Sequence, residues 1–291
     1  MGPVRERVRA LVAEDLYPLE YRVWEGPERA GTMVLLHGVM SHSQWLARLA
    51  EPLARLGFKV VGADRRGSGL NRRGLGDAPS SRQLVLDLWR VVEREHDGEG
   101  PLFLIGWCWG GVLALNALVE PGTADRLAGL VLLAPGLFPA AGLQRALAAQ
   151  DRPLEDRPVD QPCVESPIRE EMFTRGPWLH DFILKDELRL RFFSPRFGRI
   201  LREMGAQAIL ELHRSTLPIL LVMAERDVTM DRERTLRTFE RLRRAPVTIR
   251  SIDCHHGIQF EAVAELVDAV TAWVRRLGLR DRGLEPAATR T

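Results

Sequence analysis

The chain has 291 residues, 45% of them hydrophobic and 27% charged, and 41 Lys and Arg against 39 Asp and Glu leave a formal net charge of +2. That balance excludes a disordered chain and a basic nucleic-acid binder. Three cysteines without metal-ligand spacing exclude a disulfide framework and point to a reducing cytoplasm; no apolar run approaches the roughly 18 residues of a membrane span, and the charges spread through Met1 to Glu20 speak against a secretory signal.

In chain order, Val4 to Ala13 predicts a short amphipathic helix and Tyr21 to Trp24 an early strand. Thr32 to Leu36 reads as a buried strand ending at His37-Gly38, and Ser43 to Leu56 has helical spacing with a Gly57 stop. Phe58 to Ala63 is a strand ending in Asp64-Arg65-Arg66-Gly67-Ser68-Gly69, followed by a helix from Ser80 to Glu95. Leu127 to Ala134 gives another strand. From 137 to 214 the rhythm changes: prolines recur at 162, 167, 177 and 195, no strand pattern shows, and short helical fragments carry Phe and Trp. This predicts a helical lid inserted in an α/β core. Alternation returns with a strand over Leu217 to Met223, a helix over Arg232 to Arg243, a strand over Val247 to Ile252 and a helix over Glu261 to Leu277. The predicted organisation is core over 1–136, lid over 137–214, core over 215–278 and a frayed tail over 279–291, with a mostly parallel sheet covered on both faces.

Leu102 to Val112 carries the chemistry. The apolar run Leu102 to Ile105 ends in Gly106-Trp107-Cys108-Trp109-Gly110-Gly111, and a helical pattern follows. This is the form of a nucleophile elbow, in which a strained turn holds the central residue at a strand end below a helix N-terminus, here with sulfur in place of oxygen. A lone cysteine is more often a small buried hydrophobe, so the reading depends on partners. Asp227 and the pair His255-His256 end two later predicted strands, in the chain order nucleophile, acid, histidine. Asp231, the rival acid, reads as a helix N-cap; His37 reads as a loop brace, Asp64 as a turn residue, Arg65 and Arg66 as solvated or loop-bracing, and His42, His96, His180 and His213 as surface or lid residues. Cys254 beside the two histidines does not make a metal site, because three consecutive residues do not converge on one ion.

With these motifs the chain resembles the α/β-hydrolase family over nearly its whole length, and within it the monoglyceride lipase and lysophospholipase group. His37-Gly38 resembles the oxyanion loop, Asp64 to Gly69 the D-x-R-G-x-G turn, Leu130 to Pro135 the strand before the lid, and His256 with Glu261 the histidine segment, which favours His256 over His255. The resemblance implies Cys108, Asp227 and His256 as catalytic residues and the amides of Val39 and Trp109 as the oxyanion hole. Met40, Trp107, Phe138, Trp178 and Val228 are the expected substrate contacts. Most members carry Ser where Cys108 stands; polyhydroxyalkanoate synthases and Dieckmann-type cyclases are similar in having Cys. A thiolate that takes an acyl group from a thioester exchanges like for like. The expected activity is therefore acyl transfer through acyl-Cys108 from a chain on CoA or an acyl carrier protein, without cofactor or metal. The alternatives are a carboxylesterase or lipase of the monoglyceride lipase type, and a non-catalytic small-ligand receptor.

Overall fold

The computed structural model describes residues 3–149 and 159–278, so the expected tail over 279–291 and part of the expected lid lie outside the described residues. Eight strands form one sheet in the order β1-β2-β4-β3-β5-β6-β9-β10: β1 Arg5–Val12, β2 Pro18–Glu25, β3 Gly31–Leu36, β4 Phe58–Ala63, β5 Leu102–Trp107, β6 Gly129–Leu133, β9 Ile219–Ala224 and β10 Val247–Ile252. From β4 to β10 every pairing is parallel, while β1 and β2 join antiparallel at one edge. Five inner strands are buried along their whole length, as continuous apolar runs must be when helices cover both faces. The core lies in two layers, one on each face of that sheet.

Helices α1 Ala47–Arg55, α2 Ser81–Glu95 and α3 Trp109–Asn116 connect the first strands, and α7 Arg232–Glu240, α8 Ile258–Glu261 and α9 Val263–Arg276 complete the core. Ser80 caps α2 by accepting the amide of Gln83 at 3.1 Å, and Asp231 caps α7 through the amide of Arg234 at 2.9 Å. β3 has β4 on one side and β5 on the other. The chain therefore changes direction across β3, and the strand ends beside that switch form a crevice where ligands bind in such sheets.

Two expectations are corrected. Val4 to Ala13 is strand β1, not a helix. A tight turn between Ala13 and Tyr17, with Leu16 at φ +61°, sends the chain back so that Arg5 to Val12 pair with Glu25 to Pro18, and long-range pairing overrides the helical spacing of a short segment. In the insertion between β6 and β9, α4 Ala141–Ala149 and α5 Pro177–Lys185 are short, but α6 Pro195–Arg214 runs for 20 residues. Pro195 at its first turn and the Ser194 hydroxyl, which accepts the Phe197 amide at 2.9 Å, start it cleanly. Two short strands, β7 Val164–Glu165 and β8 Phe192–Phe193, pair within the insertion, where no strand was expected. No helix among the described residues is long and apolar enough to cross a membrane.

Candidate functional site

Strand β5 delivers Cys108 in a conformation L-residues rarely adopt, φ +55° and ψ −124°. Such strain costs of order 1–3 kcal/mol and persists only where the surroundings over-determine it. Here they do. The Cys108 amide donates to Leu133 O at 2.9 Å, and the Cys108 carbonyl accepts the amides of Gly136 at 2.8 Å and Gly111 at 3.0 Å. The bend also demands two glycines: a Cβ on Gly106 would sit 2.4 Å from Gly110 O, and one on Gly110 would sit 2.0 Å from Leu36 O. The thiol lies in the wall of a cavity but is itself only 4% exposed.

The loops after β9 and β10 are tied together by two backbone hydrogen bonds, Glu225 N–H to Ile252 O at 2.9 Å and Arg226 N–H to Cys254 O at 3.0 Å. They bring Asp227 to His256, whose Nδ1 donates to Asp227 Oδ2 at 2.7 Å; both side chains are fully buried. The other carboxylate oxygen accepts the amides of Thr229 at 2.7 Å and Met230 at 3.1 Å. Burial works against the charged carboxylate, but the His256 charge and these donors outweigh it, and Asp227 titrates below the usual carboxylate range. Burial likewise works against the imidazolium, yet the charges of Asp227 and Cys108 raise His256 to about 10. Its Nε2 has no hydrogen-bond partner among the described residues, although the Cys108 thiol is near enough to act on the ring. Catalytic hydrogen bonds commonly tighten only in the reacting complex.

His255 faces elsewhere: its ring and its amide both bond Glu261, at 3.0 and 2.8 Å to Oε2. Glu261 therefore anchors His255 rather than His256, and also takes the Thr174 hydroxyl at 2.5 Å. The His256 ring packs in a triangle with Trp107 and Phe173, at centroid distances of 5.6 and 5.8 Å from the imidazole and 5.7 Å between the two aromatic rings. Trp107 Nε1 donates to His256 O at 2.9 Å, and the Gly257 amide donates to Phe173 O at 2.8 Å. Phe173 thus seats the imidazole from the insertion. Its sequence neighbourhood carries no motif, so only the tertiary structure shows it.

The β3–α1 loop closes the other side. Gly38 lies against Cys108, since a Cβ there would meet its Sγ at 3.6 Å. The amides of Val39 and Trp109, residues that border the cavity, find no acceptor among the described residues. His37 Nδ1 donates to Gly38 O at 2.8 Å and Nε2 accepts the Arg65 amide at 3.3 Å, which fixes the loop. Burial and the Arg65 charge hold His37 well below its usual pKa, hence neutral. Asp64 accepts the amides of Ser43 at 2.5 Å and Leu70 at 3.0 Å, as a turn residue does.

Arg65 and Arg66 are both buried, not solvated, and both brace loops. Arg66 forks onto Asp87 and Asp15, with its Nε 2.6 Å from Asp87 Oδ2. Arg65 bonds the carbonyls of Gly38 and Val39. His42, expected at the surface or in the lid, is buried in the core with Nε2 2.8 Å from Oδ2 of Asp186 in the insertion.

The cavity beside Cys108 holds about 550 Å³. Its wall is mainly apolar: Leu137, Leu143, Ile168, Phe193, Leu201 and Met230, most of them from the insertion. None of the five expected substrate contacts lines it. Met40, Trp107 and Phe138 are packed into the core, and Trp178 and Val228 are turned to solvent at 59% and 55% exposure. Part of the wall comes from α6, through Gly198, Leu201, Gly205, Ala206 and Ile209. Cys254 is buried and its thiol is pushed up to about 12 by burial, so it stays protonated. No cluster of three metal-ligating side chains occurs among the described residues.

A strained elbow at β5, an acid after β9, a histidine after β10 and an insertion over the strand ends define the class of α/β-hydrolases. The chain belongs to the hydrolase family described as serine aminopeptidase, S33, whose model matches residues 27–262. A provisionally named monoglyceride lipase of Schizosaccharomyces pombe is 25% identical over 261 residues, covering 83% of this chain and 66% of its own length. An abhydrolase domain-containing protein of Dictyostelium discoideum is 28% identical over 134 residues, covering 46% of this chain. The chain spans only 14% of the length of the second relative. Among solved structures, a soluble variant of monoglyceride lipase from Saccharomyces cerevisiae superposes with a TM-score of 0.80 at 16% identity, covering 95% of this chain and 96% of that one.

Proposed function

We propose that this enzyme hydrolyses esters of apolar acyl chains, as a lipase or carboxylesterase of the monoglyceride lipase type, with Cys108 as the nucleophile. The observation that carries the reading is the fully buried Asp227–His256 pair, 2.7 Å apart, set beside the Cys108 thiol on a strained elbow. In this mechanism the imidazolium pairs with a Cys108 thiolate, which attacks the acyl carbonyl. The amides of Val39 and Trp109 receive the oxyanion, and loss of one such donor typically costs about 3 kcal/mol in barrier. His256 then gives its proton to the departing alcohol and, as a base, takes one from the water that releases the acid. Asp227 holds the ring in the tautomer that this needs. The apolar cavity accommodates the acyl chain.

The sequence by itself favours a thioester donor on CoA or an acyl carrier protein; the relatives named above move the weight to an oxygen ester. The thioester reading, with release to water or by cyclisation, keeps one observation of its own, the sulfur at 108. Paired assays decide. Aryl esters of two to twelve carbons, with their thioester analogues, are expected to turn over with a preference for medium or long chains. At least a hundredfold preference for the thioester would replace the ester reading. Turnover of neither, with ligand binding unchanged in Cys108→Ala, would favour a receptor.

A further inference from the structure

We propose that Arg65 is the positioning residue of the oxyanion pocket: one buried guanidinium holds both amide-bearing residues in place and brings a positive charge to the loop that lies against the Cys108 sulfur. The inference rests on the reading of Cys108 as nucleophile. Arg65 is 5% exposed. Its Nη1 donates to Gly38 O at 2.9 Å and its Nη2 to Val39 O. The Gly38 carbonyl and the Val39 N–H belong to one planar peptide group and point in opposite directions. Gly38 O is held by three donors, Arg65, His37 and the Ser41 hydroxyl at 3.3 Å, so that peptide does not flip and the Val39 N–H stays turned away from the brace. The same guanidinium lies over the Trp109 ring at 5.5 Å and the Phe197 ring of α6 at 5.3 Å. It therefore touches both residues of the oxyanion pair and the helix that walls the cavity.

No carboxylate forks onto Arg65 among the described residues: the Asp64 oxygens are taken by the amides of Ser43 and Leu70. A buried cation is costly, and the ionisable groups that act to balance it are Asp64 first and the Cys108 sulfur second. Burial pulls the guanidinium down to about 9, against the raising charges of Asp64 and Cys108. The remaining charged groups at the sulfur are His256 with Asp227 behind it; His37 is neutral.

The test uses the whole enzyme and the variants Arg65→Met and Arg65→Lys. The readouts are kcat and KM on an aryl ester, and the pH dependence of iodoacetamide alkylation, located on Cys108 by mass spectrometry. R65M is expected to lower kcat about 100-fold with KM little changed, and to move the alkylation midpoint up by about one pH unit. R65K, which keeps the charge without the fork, is expected to restore the midpoint but leave kcat at least tenfold down. Where R65M melts too low to assay, Arg65→Gln replaces it in the same comparison. Wild-type kcat and midpoint in the folded variants, or losses that only track the folded fraction, would overturn the proposal. Failure of Cys108 to alkylate in the wild-type enzyme, or full activity in Cys108→Ala, would instead overturn the reading on which it rests.

Discussion

At Cys108 three constraints meet: a positive φ, a backbone pinned on both sides, and a neighbouring imidazole whose charge is maintained by a buried carboxylate. Asp227→Asn removes that carboxylate's charge and frees the wrong tautomer, so kcat should fall about 10³- to 10⁴-fold while the melting temperature changes modestly; a loss under tenfold would show that Asp227 does not orient the ring. The same pair gives the fold a pH dependence. His256 has a folded pKa of about 10 against an ordinary 6.5, so its contribution to stability is fully present below 6.5 and is lost as pH rises to about 10. Thermal melts from pH 6.5 to 10 should show that decline in the wild type and not in His256→Gln; parallel curves would contradict it. Cys108, Asp227 and the histidine pair were legible in the sequence because each follows an apolar strand in a fixed order. Phe173 and Arg65 were not, because a phenyl ring and a guanidinium acquire these roles only when the insertion and the β4 turn fold onto them.

Among the elements, the β5–α3 elbow leaves no room for a side chain at Gly110. Gly110→Ala places a methyl 2.0 Å from Leu36 O, a backbone atom that cannot rotate away, and is expected to cost about 3 kcal/mol or more and abolish activity. A wild-type denaturant midpoint for this variant would mean that the elbow is looser than described. The buried inner strands and their alternation with helices could be read from apolar runs and Gly stops. The edge strand β1 could not: its exposed face carries no burial pattern, and only pairing with β2 defines it. Helix α6 places Leu201 in the cavity wall. Leu201→Trp is expected to shorten the preferred acyl chain by several carbons with little change on the shortest ester; an unchanged chain-length profile would show that the chain lies elsewhere.

For the whole molecule, the insertion is latched to the core at a buried point. Asp186 Oδ2 accepts Trp45 Nε1 at 2.6 Å and lies 2.8 Å from His42 Nε2, while the Leu190 amide donates to Met40 O at 2.9 Å. The latch lies next to the β3–α1 loop that borders Cys108, so the cavity wall and the elbow are assembled together. The central claim is that acyl groups pass through the sulfur of Cys108. The most direct measurement is intact-protein and peptide mass spectrometry of enzyme mixed for milliseconds with an activated acyl ester and quenched in acid. An added acyl mass on the peptide bearing Cys108, absent in Cys108→Ala, is the predicted result. Turnover that persists in Cys108→Ala, or acylation confined to Cys163 or Cys254, would contradict it.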